Sequence, residues 1–484
     1  MSDFDWWALA LGAGHVALGL LATILVSRNR KPAEAIAWVM AIVFIPFLGA
    51  LTFLLIGFGR LPAHRRAKQR EVNTLMLERT AGPWRTSHEP DWPRWLGPAT
   101  ELNRNLGALP MVGGNDITLN DDYLGTIAQM ADAIDAAQHR VHVQFYIGVL
   151  DQATEPFFQA LARATARGVN VRVLLDHVAA QMYPRRRETA AFLESIGAHL
   201  HHMLPLRPWR GQWQRPDLRN HRKLLIIDSS VGFTGSMNLI EPRYHKAKNI
   251  KRGLSWHELM IRVQGPAVRE LDAVFITDWY SETGERLALD TSPIELEAVN
   301  GDIDAQVLPS GPSFENDNSL KLFTMMIHQA TTRVSITSPY FVPDESILLA
   351  ILTTAARGVP VELFVSEIGD QAMVHHAQRS YYEVLLRAGV RIYLYRAPRV
   401  LHAKHFSIDN EVAVIGSSNM DMRSFSLNME ISVLLHGPAL LADLLAVEDL
   451  YRGNSRELKL DQWLARPLRE RALDNLARLT SMLQ

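Results

Sequence analysis

One polar pattern occurs twice in this chain, about 180 residues apart, and no other feature constrains the fold as strongly. The first copy reads HRKLLIIDSSVGFTGSMN and carries His221, Lys223, Asp228, Gly235, Ser236 and Asn238. The second reads HAKHFSIDNEVAVIGSSN and carries His402, Lys404, Asp409, Gly416, Ser417 and Asn419. Spacing within the two copies is identical. At about one in twenty for each residue type, six fixed positions match by chance on the order of once in 10^7 starts. A chain with two such matches is built from a duplicated unit, and each unit supplies a histidine and a lysine to one site.

The repeat extends beyond the motif. RVHVQFYIGVLDQATEPFFQALARATARGVNVRVLL starts at Arg140, and RVSITSPYFVPDESILLAILTTAARGVPVELFV starts at Arg333. Each reads as an apolar strand, a helix-period segment, an Arg-Gly-Val turn and a second strand. A further helix then ends at Gly197 in one half and Gly389 in the other, followed by short β-rich runs. This order predicts an α/β fold, with two pseudo-symmetric α/β/α domains holding a mixed sheet each. The expected boundaries are residues 115–300 and 301–484.

Two apolar stretches precede the repeat, at residues 6–26 and 35–58. Each is about 20 residues or more, enough to cross a hydrocarbon core of roughly 30 Å. Trp6, Trp7 and Trp38 lie near their ends, as interfacial anchors would. Asp3 and Asp5 replace the basic start of a secretory signal, so residues 1–59 are expected to form a transmembrane helical hairpin. Pro46 is expected to bend the second span. A hairpin places the N-terminus and everything after Gly59 on one side. Arg28, Arg30 and Lys31 lie in the connecting loop, and Arg60, Arg65, Arg66, Lys68 and Arg70 follow the second span. The excess of cations after the second span assigns the large C-terminal part to the cytoplasm. Residues 60–114 read as a juxtamembrane linker, Pro- and Trp-rich over 84–98.

Composition excludes several classes. Lys+Arg 50 against Asp+Glu 51 gives no net basic field for nucleic acid. There is no cysteine, hence no thiolate nucleophile and no Cys-type zinc site. Neither HExxH nor a Walker-type glycine loop is present in the sequence. Two basic insertions break the symmetry, both in the first half. Residues 201–220 carry Trp209 and Trp213 among arginines, and residues 243–256 carry Lys246, Lys248, Lys251 and Arg252. Interleaved Trp and Arg suit a membrane interface.

The motif carries its own chemistry. In an extended chain, residues i and i+2 share a face, so His and Lys project together. Two His, two Lys and two Asn around one point describe a phosphodiester site. Lysines and asparagines hold the non-bridging oxygens, with Ser236, Asn238, Ser417 and Asn419 on Gly-containing turns as anion donors. One imidazole attacks phosphorus and the other protonates the departing alkoxide. Which histidine does which is left open by the residues themselves. Asp228 and Asp409 fall on the opposite parity and suit the turn better than the histidines. Glu258 and Glu430 lie at corresponding places on later strands and are the better candidates to hold each Nδ1 proton. The lysines supply the positive charge, so no metal or other cofactor is expected.

The HxKxxxxD pattern with its GSxN tail resembles the signature of the phospholipase D superfamily, over both halves from about Asn115 onward. The two N-terminal spans resemble those of its bacterial cardiolipin synthases. That resemblance implies a catalytic set of His221, Lys223, Asp228, His402, Lys404 and Asp409, with His221 as nucleophile and His402 as general acid. It implies transfer of a phosphatidyl group between two phosphatidylglycerols, giving cardiolipin and glycerol at the bacterial inner membrane. Both lipids would be membrane partners, nucleic acid would not be one, and a homo-oligomer stays open. A hydrolase, a transferase with another donor or acceptor, a nuclease and a non-catalytic scaffold are the alternatives.

Overall fold

The computed structural model describes residues 1–484 except 1–5, 29, 31, 58–60, 62, 80–87, 108, 211, 213–214, 289–300, 315–316 and 480–484. Asp3, Asp5, Lys31, Gly59, Arg60, Trp84 and Trp213 therefore lie outside the described residues. The first half contributes β1 (Val112–Asn120), β2 (Arg140–Phe145), β3 (Asn170–Asp176), β4 (His199–Met203), β5 (Leu224–Ile227), β6 (Val231–Gly235), β7 (Ser255–His257) and β8 (Met260–Gln264). The second contributes β9 (Ile303–Ser310), β10 (Val334–Thr337), β11 (Val361–Ser366), β12 (Arg391–Tyr395), β13 (Arg399–Leu401), β14 (His405–Ile408), β15 (Val412–Gly416), β16 (Glu430–His436) and β17 (Ser455–Leu458).

A single 15-stranded sheet runs through both halves, in the order β17-β12-β11-β10-β14-β15-β16-β9-β1-β8-β6-β5-β2-β3-β4. Two separate sheets were expected, and the difference has a simple cause. β1 and β9 are the innermost strand of each half, and they pair antiparallel, Val112 with Ala305 and Asn115 with Ile303. Joining them removes two open edges at once. Asn115 pins the junction: its Nδ2 donates to the Val112 and Ile303 carbonyls, and its Oδ1 accepts the Ala267 amide. Within each half the expected mixed pattern holds. β2, β3 and β4 are parallel, and β5, β6, β8 and β1 continue antiparallel. β10, β11 and β12 with β14, β15, β16 and β9 repeat this order.

A hydrophobic cluster shared by both halves lies under helices Ala267–Thr283 and Pro438–Gly453, with Trp279, Phe275, Leu441 and Tyr451 buried. The two halves thus share one continuous core. A second, smaller sheet also joins the halves: β7 pairs parallel with β13, Trp256 opposite Val400 and His257 opposite Leu401. That pairing buries Trp256. The second basic insertion therefore ends in the domain interface, not at a membrane surface as its sequence suggested.

The linker is docked as well. Helix Ala63–Arg79 is tied to helix Ala267–Thr283 by Arg65, whose guanidinium meets Glu282 in two bonds of 2.6 and 2.8 Å. Trp92 Nε1 donates to Asp304 at 2.8 Å, and helix Leu96–Gly107 buries Leu96 and Ala99 in the second-half core. The described part of the Trp-rich segment serves packing in place of the expected membrane contact.

At the N-terminus, α1 (Trp6–Val26) is followed by α2 (Pro32–Phe44) and α3 (Pro46–Ile56). The second apolar stretch is thus two short helices, not one span. Ile45 leaves helical geometry at φ −132° and ψ 68°, and Pro46 starts α3 where its missing N–H costs nothing. α3 then folds back on α2, with the Trp38 and Phe53 rings 5.4 Å apart. Gly49 makes this possible, because a Cβ there would lie 2.3 Å from the Ala41 carbonyl oxygen. Among the described residues no helix is long and apolar enough to cross a membrane.

Candidate active site

Each motif histidine sits in an extended lead-in just before a central strand, β5 or β14. Backbone pairing across the halves aims it. The His221 amide donates to the Met429 carbonyl at 2.8 Å, and the His402 amide donates to the His257 carbonyl at 2.7 Å. The residue after each acceptor is a glutamate. The histidine of one half therefore meets the carboxylate of the other.

His221 Nδ1 lies 2.9 and 3.0 Å from the Glu430 oxygens, and His402 Nδ1 lies 2.8 and 2.9 Å from those of Glu258. Both glutamates are buried. Burial disfavours their charge, but the histidine, lysine and serine donors outweigh it and hold both carboxyls below the ordinary range. A carboxylate facing Nδ1 fixes the proton there and leaves the Nε2 lone pair free. Burial pulls His221 down to about 4 against the pull of Glu430, and lowers His402 in the same way. Near neutral pH the His221 ring therefore rests as a neutral imidazole with Nε2 free to attack.

The lysines complete the centre. Lys223 Nζ donates to the His221 carbonyl and Lys404 Nζ to the His402 carbonyl, both at 2.6 Å. Burial lowers Lys404 to about 8, with Glu258 and Glu430 opposing, and pulls Lys223 well down. Each histidine feels the lysine of the other half as well as its own. Two lysines held this close beside the paired carboxylates can each bind a non-bridging oxygen of a phosphodiester, whose charge would raise both ammonium groups again.

Residues 130–279 and 323–447 match the family described as "Cardiolipin synthase, PLD-like domain", and residues 17–57 match "Phospholipase D-nuclease N-terminal". Cardiolipin synthase A of Serratia proteamaculans is 31% identical over 484 residues, covering 97% of this chain and 96% of its own. Cardiolipin synthase A of Yersinia pestis bv. Antiqua (strain Antiqua) is 31% identical over 502 residues, covering 98% and 96%. The chain belongs to the phospholipase D-like cardiolipin synthase family. In fold it is similar to the crystal structure of phosphatidylserine synthase from Haemophilus influenzae, with a TM-score of 0.59 at 15% identity, over 80% of this chain and 99% of that one.

The remaining motif residues lie around the histidine and lysine pairs. Asp228 stands at the far end of β5 and accepts the Gln138, His139 and Arg140 amides at 2.7–2.9 Å. Asp409 does the same for Thr331, Thr332 and Arg333. Both tips hold two successive left-handed residues, Asp228–Ser229 and Asp409–Asn410, as a type I′ turn requires. The aspartates thus lock each hairpin tip to the start of β2 or β10. Ser236 and Ser417 were expected to meet the substrate anion. Instead both are fully buried, and their hydroxyls donate to Glu258 at 2.6 Å and Glu430 at 2.5 Å. Asn238 Nδ2 donates to Tyr244 Oη at 3.0 Å, while Asn238 Oδ1 and Asn419 Oδ1 are buried without a hydrogen bond.

The aromatic walls were not foreseen. The Tyr146 ring is 5.2 Å from His221, and Tyr340 and Tyr244 stand 6.1 and 6.5 Å from His402. Tyr146 follows β2 and Tyr340 follows β10, but they are offset by one residue in the repeat, which hid them. Glu430 also accepts from Ser424 Oγ at 2.9 Å, where Glu258 has Tyr244 Oη at 3.3 Å. The two half-sites are therefore chemically unequal.

Proposed function

We propose that this chain transfers a phosphatidyl group from one phosphatidylglycerol to another, giving cardiolipin and glycerol through a phosphohistidine. The observation that carries the reading is the crossed pair of His–Glu dyads with both lysines between them. His221 Nε2 attacks phosphorus, and the bond to the terminal glycerol oxygen breaks. His402, protonated at Nε2, gives that alkoxide its proton and glycerol leaves. The hydroxyl of a second phosphatidylglycerol then yields its proton to His402 and attacks phosphorus, the P–N bond breaks, and cardiolipin departs. One phosphodiester replaces another, so no nucleotide is consumed and the proton on His402 is returned. Lys223 and Lys404 stabilise the equatorial oxygens in both steps.

We further propose that the protein is seated in the bacterial inner membrane by α1, α2 and α3. Trp6, Trp7, Leu20, Ile24, Phe44, Phe47 and Leu54 each leave more than half of their surface exposed there. An apolar face of that extent is stable against lipid and costly in water. Reconstitution with labelled phosphatidylglycerol tests the reading. Cardiolipin and glycerol in equal amounts support it, phosphatidic acid alone converts it to a hydrolase, and full activity in His221→Ala or His402→Ala overturns the site.

A further inference from the structure

The second apolar segment does not run in one direction. Were residues 32–56 one continuous helix, Trp38 and Phe53 would be separated by about 22 Å along its axis, and Arg30 and Phe53 by about 34 Å. Their rings are in fact 5.4 Å apart, and the Arg30 guanidinium lies over the Phe53 ring at 5.0 Å. The chain enters along α2, turns at Ile45 and returns along α3 to the level of Arg30. α2 has 13 residues, a rise of about 20 Å, which is short of a hydrocarbon core of roughly 30 Å.

The turn is built for a lipid environment. Phe44, Ile45, Phe47 and Leu48 at the tip are more than half exposed. Two backbone bonds brace the turn: Ile45 N–H donates to the Ala41 carbonyl at 3.0 Å and Gly49 N–H to the Ile45 carbonyl at 2.6 Å. Pro46 has no N–H to satisfy. At the open end of the hairpin the chemistry reverses. Arg28 and Arg30 lie there, and Arg30 is within electrostatic reach of Arg215, in the basic insertion of the catalytic part. Arg215 is held by Asp217, whose carbonyl accepts from Arg423 at 2.8 Å. It precedes His221 by six residues, across a turn at Pro216–Asp217, so the two lie within roughly 20 Å of chain.

We propose that α2–α3 is a re-entrant hairpin that dips into the bilayer and returns to the same face, so that the α1–α2 link and the catalytic centre lie on one side of the membrane. Arg28, Arg30 and Arg215 then meet the anionic headgroup layer beside the cleft, where phosphatidylglycerol would be gathered before reaction. This rests on the proposed membrane seat and reverses the sidedness expected of two crossing spans, which puts that link opposite the catalytic part. It also puts Arg28 and Arg30 of the link on the same face as Arg66 and Arg70, which follow α3.

The absence of cysteine makes the test direct. Ser27→Cys, at the exposed end of α1, and Ser195→Cys, exposed on the catalytic part, are each introduced into the full chain. They are treated with a membrane-impermeant maleimide in right-side-out and inside-out vesicles, with turnover measured to confirm folding. The re-entrant arrangement requires both reporters to be modified from the same face. Modification of Ser27→Cys only from the face opposite to Ser195→Cys overturns it. Carbonate extraction separates the two claims: protein released to the supernatant would overturn the membrane seat itself and this inference with it.

Discussion

Replacing Glu430 by glutamine keeps the shape of the side chain and removes its charge. The native carboxylate is fully buried and takes His221 Nδ1–H at 2.9 Å, Ser417 Oγ at 2.5 Å, Ser424 Oγ at 2.9 Å and Asn428 Nδ2 at 3.4 Å. A carboxamide accepts on its oxygen only, and its nitrogen faces a donor whichever way it is turned. If the oxygen stays on the ring, the loss is one charge-assisted hydrogen bond, about 1.5–3 kcal/mol, or roughly 10- to 150-fold in rate. If the nitrogen faces the ring, His221 must move its proton to Nε2 and loses the lone pair that attacks. Such a tautomer inversion costs about 10^4 in a serine protease triad. The expected fall in kcat for Glu430→Gln is therefore between roughly 10 and 10^4. KM should change little, because the lysines that hold the phosphate remain. Turnover of phosphatidylglycerol in mixed micelles measures this, and a single-turnover quench reads phosphohistidine formation, the step that Glu430 serves. A variant that melts like the parent and keeps its rate within threefold would refute the orienting role.

Other expectations follow from the same geometry. Burial brings Lys404 to about 8, so its ammonium loses charge as pH rises through that value; inhibition by vanadate should weaken with a one-proton slope above pH 8, and Lys404→Gln should abolish the slope. Asp409→Ala removes the acceptor for three backbone amides and should cost about 1–3 kcal/mol in urea unfolding while the folded protein keeps its kcat within a few-fold. Those amides hold the Asp409 carboxyl below its usual value against burial. Its stabilisation is thus complete above the unfolded value of about 3.9 and is lost as pH falls through the folded one, where the deficit of the variant should vanish. Arg65→Ala strands the buried Glu282 and should destabilise by about 3–5 kcal/mol, partly recovered by adding Glu282→Gln.

Much of this was legible because the repeat fixes geometry twice. Period-two apolar runs gave the strands, and the parity of HxK against the aspartate separated the facing pair from the turn residue. Strand parity cannot say which glutamate serves which histidine, because Glu258 and Glu430 occupy equivalent positions and the choice lies in how two halves dock. The placement of the serines was hidden for a related reason. A hydroxyl after a glycine looks available to an anion until the neighbouring strand, here carrying Leu259 or Ile431, covers it. The fold-back at Pro46 was half visible: proline marks a break, but only Gly49 and its contact with Ala41 turn that break into a reversal.

The crossing of the dyads has a consequence for the whole molecule. Each histidine is aimed by a backbone bond to the residue preceding the glutamate that orients it, His221 to Met429 and His402 to His257. One interface therefore sets both dyads. A half with its own internal dyad would tolerate small shifts of its partner, whereas here any opening displaces the attacking and the protonating imidazole together. The continuous sheet through β1 and β9, the β7–β13 pairing and the Arg222 guanidinium on the Glu430 carbonyl at 2.9 Å all resist that opening. The duplication has become obligatory: neither half holds an oriented histidine without the other.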